Sequence, residues 1–206
     1  MGKDPDLRKR LLLLPCILIL SALAFTACGS SSGDDGEIEE VVETSATSTD
    51  PADCKKLNTQ KFMEQTTQES GNTAVKKCEE EAKEGEGAKA VSVSAVEVDG
   101  SDATAEAALS GGNLDGQTLE VALVKDGDQW KLNEVVEFTK FNQAKLVEVL
   151  EKGLTEPSSE VDPKFASCVI GAFKQGSQKE VEELLFGGSS GTLEEVFEAC
   201  ASNPSA

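Results

Sequence analysis

Six cysteines are the side chains of this 206-residue chain best suited to covalent chemistry. Three fates are open to them: a disulfide, a metal thiolate or a thioether to lipid. Cys54, Cys78, Cys168 and Cys200 form an even set downstream of an apolar N-terminal run, and in a chain exported from the cytoplasm such a set argues for disulfides. Four cysteines allow three connectivities, and spacing alone does not choose among them. Cys54–Cys78 and Cys168–Cys200 are preferred, because each pair falls within one group of helical segments while strands lie between. A metal site is disfavoured, since no C-x₂₋₄-C pair occurs and histidine is absent. Tyrosine is absent too, and no Gly-x-Ser-x-Gly, P-loop or dinucleotide fingerprint appears. No cofactor is implied. Acid–base catalysis would have to use a carboxylate of raised pKa. Glu97, Glu106 and Glu120 lie on expected strands, but alternation puts Glu106 and Glu120 opposite the apolar stripes, as solvated side chains. The expectation is a protein that is not an enzyme, with no catalytic residue.

Cys28 is different. Lys3, Arg8, Lys9 and Arg10 form a positive region, Leu11 to Phe25 is apolar apart from Pro15 and Ser21, and the small residues Thr26 and Ala27 precede Cys28. This is the layout of a secretory signal with a small-residue cleavage site. The cysteine after the site resembles that of a lipobox, with Phe25 where such boxes carry Leu, Val or Ile. The resemblance implies a thioether to diacylglycerol on Cys28, acyl chains such as palmitate, and residence on the extracytoplasmic face of the cell membrane. Two alternatives stay open. One is an uncleaved anchor, although Leu11 to Ala27 is 17 residues and contains Pro15, short of the ~20 needed to span. The other is ordinary cleavage after Ala22-Leu23-Ala24 and release. Cys16 would leave with the signal.

Charge narrows the partners. The chain carries 19 basic and 38 acidic side chains. Residues 1–27 hold four of the basic and two of the acidic ones, so the mature part has a net charge of −21. Such a polyanion repels nucleic acid and anionic headgroups, which excludes nucleic acid as a partner and leaves attachment to the lipid on Cys28.

The elements that must position these groups follow from period and punctuation. Residues 28–50 are acidic and rich in Ser, Gly and Thr, and read as a disordered tether. Asp34-Asp35-Gly36-Glu37 lacks the spacing of a calcium loop. Asp50-Pro51 is a cap followed by proline at N1. It opens a helical region to about Gln68, with Asn58-Thr59 as a candidate break. A second helix is expected over Thr73 to Lys83, capped by Asn72. The period then becomes two. Val91 to Val98 form a strand whose alternation slips at Ala95, as at a bulge. Ala103 to Leu109, Leu119 to Leu123 and Trp130 to Val135 follow, with Asp99-Gly100 and Asp126-Gly127 as hairpin turns. From Phe138 the spacing is helical again. One helix is striped by Phe141, Leu146, Val149 and Leu150 and ends before Gly153. Glu156-Pro157-Ser158-Ser159 then links to a helix capped by Asp162-Pro163. Ser177-x-x-Glu180 and Thr192-x-x-Glu195 are capping boxes opening two short helices.

Helices followed by a meander whose last hairpin reads Leu123-Val124-Lys125-Asp126-Gly127-Asp128-Gln129-Trp130-Lys131-Leu132 resemble the NTF2-like fold. The small NTF2-like lipoproteins of high-GC Gram-positive bacteria are similar here, and also across Val98 to Ala105. The resemblance covers about residues 51–137 and implies a curved sheet wrapping helices around a cone-shaped pocket, with Trp130 packed on a strand. The expected fold class is therefore α+β: N-terminal helices, a curved four-stranded antiparallel meander, then a small all-helical module. The expected division is a signal over 1–27, the tether over 28–50, the NTF2-like domain over 51–137 and a disulfide-stapled tail over 138–206. The expected role is a lipid-anchored, non-catalytic binding module whose partner is an envelope protein or a small hydrophobic ligand. The alternatives are a carboxylate-only enzyme in the cone, and an accessory protein docking through its helical tail.

Overall fold

The structure, a computed structural model, describes residues 33–85, 87–155, 161–187 and 192–202. The signal run, Cys28 and the linker at 156–159 lie outside them. The chain passes through α1 (Asp34–Thr47), α2 (Pro51–Leu57), α3 (Gln60–Thr67) and α4 (Gly71–Glu84). It continues into β1 (Ala90–Asp99), β2 (Asp102–Ser110), β3 (Thr118–Asp126) and β4 (Gln129–Lys140). Last come α5 (Gln143–Thr155), α6 (Pro163–Gln175), α7 (Gln178–Phe186) and α8 (Thr192–Ser202). The class is α+β, and the sheet is a four-stranded antiparallel meander in the order β1-β2-β3-β4.

Local chemistry explains most boundaries. Gly100 and Gly127, both at φ +66°, supply the left-handed backbone that the two Asp-Gly hairpin turns require. The register of β1 slips between Ser94 and Glu97, where Ala95 sits at φ +51°, so the expected bulge is there. The Asp50 carboxylate accepts from the Ala52 amide at the start of α2. The break at Asn58-Thr59 is real: the Thr59 hydroxyl caps α3 by accepting from the Phe62 amide. The Asp162 side chain caps α6, and the Ser177–Glu180 capping box is formed in both directions. α4 starts slightly earlier than expected, at Gly71 after Ser70. α5 runs through Gly153 to Thr155 instead of ending before it.

Two larger expectations are corrected. The supposed tether contains α1, a 14-residue helix. Its apolar residues are few but correctly spaced: Ile38 and Val42 sit one turn apart and are 0% and 2% exposed in the main core. Its first turn holds Asp34, Asp35 and Glu37, which suit the positive end of the helix dipole. Asp34 Oδ1 also accepts from Lys125 Nζ at 2.8 Å and from Trp130 Nε1 at 3.1 Å. The ammonium of Lys125 lies 5.2 Å from the Trp130 ring centroid. Trp130 is thus a core residue, 2% exposed, with its N–H satisfied.

The boundary at 137/138 is corrected as well. β4 continues to Lys140, and the buried Phe138 belongs to that strand. Nor is the tail a separate module. Leu146, Val169, Ile170, Phe173, Val181 and Leu184 share one core with the inner face of the sheet, and residues from 32 onward form one compact unit. Polar groups from the helices close the outer edge of β4. The Thr59 amide donates to the Leu132 carbonyl. The Gln65 carboxamide makes a bond each way with the backbone of Val135. In α7, Glu182 accepts from the Phe138 amide while Gln178 donates to its carbonyl. A strand edge covered in this way cannot pair with another chain.

Both preferred disulfides are present, with Cα–Cα distances of 6.1 Å for Cys54–Cys78 and 5.6 Å for Cys168–Cys200. The first joins α2 to α4 and organises a small satellite core with Met63, Ala74 and Val75. The second joins α6 to α8.

Candidate functional site

A cavity of about 340 Å³ lies between the N-terminal helices and the inner face of the sheet. That is the lower end of the ~300–1,000 Å³ usual for small-molecule sites. Its apolar wall comes from three directions: Val42 of α1, Phe62 of α3, and Leu119, Val121, Leu132 and Val135 of the sheet. Phe186 of α7 lines it too, so the tail helps to build the site. The Cys54–Cys78 disulfide forms part of the same wall.

Backbone ties two of the lining segments together. The Ala88 amide donates to the Ala46 carbonyl at 2.8 Å, which joins the end of α1 to the start of β1. Gly112 faces this junction at φ +70°, and a Cβ there would stand 2.6 Å from the Gly87 carbonyl oxygen, so only glycine fits.

Polar side chains in the lining are placed at different depths. Asn58 is 7% exposed, and its Oδ1 accepts from Ser45 Oγ at 2.7 Å. Asp53 is half-buried and accepts from Ser48 Oγ at 2.6 Å. Asp50 is exposed, and Glu81 is half-buried with Lys77 at 3.5 Å. All of these line the cavity, and among its described lining residues there is no lysine or arginine.

The strand carboxylates singled out from the sequence are elsewhere. Glu106 and Glu120 stand on the outer face, as alternation predicts, and Glu97 is exposed on β1. None of the three lines the cavity. Glu106 lies directly across from Glu120, and Glu120 across from Glu137. Like charges opposed in this way are mildly destabilising and keep the face in water. Sequence reasoning missed Asn58, Asp53 and Glu81 as site residues. Asn58 had one visible signal, since a polar residue at a helix break is free to turn inward.

The perturbed ionisable groups belong to turns, caps and ion pairs. The Gly111 amide holds Asp115 below the usual carboxylate range, with Lys145 adding to the effect. Lys131 does the same for Asp126, the Gly71 amide for Glu64 and the Ser177 amide for Glu180. Asp34 raises Lys125, and Glu148 with Asp115 raises Lys145. A lowered carboxylate contributes stability that is full above its unfolded pKa and lost as pH falls through the folded one. A raised lysine contributes stability that is full below its unfolded pKa and lost as pH rises through the folded one. Stability should therefore be level between about pH 5 and 9 and decline below about pH 4. Urea midpoints measured at intervals across this range check it, and a step near pH 6–7 would contradict it.

Among the described residues no group of three or more Asp, Glu, Cys or His could hold a metal ion, and no helix is long and apolar enough to cross a membrane. These features define an α+β protein whose helices enclose a ligand-sized apolar cavity against one face of an antiparallel sheet. No family model, curated protein or solved structure matches the chain.

Proposed function

We propose that this chain is a lipid-anchored, non-catalytic binding protein of the extracytoplasmic membrane face, NTF2-like in fold, that holds a small hydrophobic ligand in its cavity. The cavity carries the reading: it is apolar, of ligand size and walled by separate elements of one folded unit. Its polar lining supplies carboxylates, the amides of Asn58 and Asn113 and hydroxyls, but among the described lining residues no histidine, tyrosine, lysine or arginine to partner a carboxylate in acid–base work. This favours binding over turnover. A docking role for the tail has less support. Its apolar side chains are committed to the shared core, and among the described residues the exposed large aliphatic side chains are Val98 and Val136, one on each edge strand.

The anchor reading rests on the signal layout and Cys28. Native mass spectrometry of the protein taken from its own membrane should show acylation of Cys28, two disulfides and a retained small molecule. Cys28→Ala should leave the chain unprocessed or released into the medium. Correct cleavage with continued membrane partition of that variant would refute the anchor.

A further inference from the structure

We propose that the cavity selects an apolar ligand bearing an uncharged hydrogen-bond acceptor, such as an amide, ester or ketone carbonyl, and rejects carboxylates. This deepens the binding reading above and rests on it.

The selecting group is Asn58. Its backbone is committed, because its amide donates to the Cys54 carbonyl and the residue bridges to Leu132 of β4. Its Oδ1 is taken by Ser45 Oγ. Its Nδ2 makes no hydrogen bond within the described protein, although the residue is 7% exposed and lines the cavity. A carboxamide has two N–H donors, and because no solvent-inaccessible side-chain nitrogen or oxygen among the described residues lacks a partner, this amide group is open to water in the cavity. A ligand carbonyl beside Nδ2 takes the place of that water while its apolar part covers Leu132, Val135 and Phe62.

Charge sets the other half of the preference. Asp53 and Glu81 line the cavity half-buried and Asp50 lines it exposed, while no basic side chain among the described lining residues could neutralise an anion. A ligand carboxylate would face these charges on the way in and then lie unpaired among apolar side chains, and both are unfavourable. An ammonium group suits the carboxylates but offers nothing to Asn58, since it is a donor only.

The test is calorimetric titration of the membrane-derived full chain in phosphatidylcholine nanodiscs, with empty nanodiscs as blank. The probes are hexanamide, hexanoate and hexylammonium, which share one apolar tail. Hexanamide should bind tightest, with hexanoate at least about tenfold weaker. Asn58→Ala should weaken hexanamide about three- to tenfold and leave hexylammonium unchanged. The double variant Asp53→Asn, Glu81→Gln leaves Asn58 intact and should tighten hexanoate. Tighter binding of hexanoate or hexylammonium than of hexanamide, or equal binding of all three, overturns the selectivity while leaving a binding cavity in place. If no probe binds, the cavity reading falls and this inference with it.

Discussion

Ile38→Ala should destabilise the folded protein by about 2–5 kcal/mol, the range for truncating a buried aliphatic side chain that leaves a cavity. Ile38 is fully buried against the core formed by the sheet and the C-terminal helices, and its neighbour one turn on, Val42, also lines the ligand cavity. For a domain stable by about 5–15 kcal/mol, that loss is a large share of the whole. The urea midpoint should fall with an unchanged m-value, because the folded and unfolded states differ by nearly the same surface. Glu39→Ala, on the exposed side of the same helix, should stay within about 0.5 kcal/mol of the parent. If both substitutions were silent, residues 34–47 would be a spacer after all, and the cavity would lack one wall.

The second large effect is expected from Cys168→Ser combined with Cys200→Ser. The bond closes a loop with a sequence separation of 32, for which the chain-entropy relation gives about 3.7 kcal/mol at 25 °C. The manner of unfolding tells as much as the magnitude. A tail with its own small core would melt first and leave the sheet standing. Here Val169, Ile170 and Phe173 of α6 pack in the core of the sheet, and α7 holds both backbone groups of Phe138 through Gln178 and Glu182. The double variant should therefore unfold in one transition at a lower midpoint, seen alike by far-ultraviolet circular dichroism and by the fluorescence of Trp130, the sole tryptophan. Two separated transitions would restore an independent tail. In the parent, Trp130 also reports on the N-terminal end of the described chain, since Asp34 of α1 accepts from its indole N–H.

The sequence by itself determined the elements whose causes lie within a few residues. Asp50-Pro51 and Asp162-Pro163 start helices because a side-chain oxygen and a fixed φ act on the next turn. Asp99-Gly100 and Asp126-Gly127 turn the chain because glycine tolerates positive φ. The slip of the apolar pattern at Ala95 announced the bulge, since the period of a strand is two and one extra residue shifts it. Even the two disulfides were preferred from the grouping of helices around the cysteines. What only the tertiary structure decided depends on partners far along the chain. α1 has too few apolar residues to be a helix on propensity or pattern alone, and it is fixed by contacts such as Asp34 with Lys125 and Trp130, some 91 and 96 residues away. The end of β4 is not legible in the sequence because Phe138 fits either period, and what keeps it in a strand is backbone pairing with Leu119 together with the side chains of α7. The cavity is further still from local rules. Val42, Phe62, Val121 and Phe186 become one wall only after four elements have packed, and the same packing turns Asn58 from a helix terminator into a polar residue of the cavity lining.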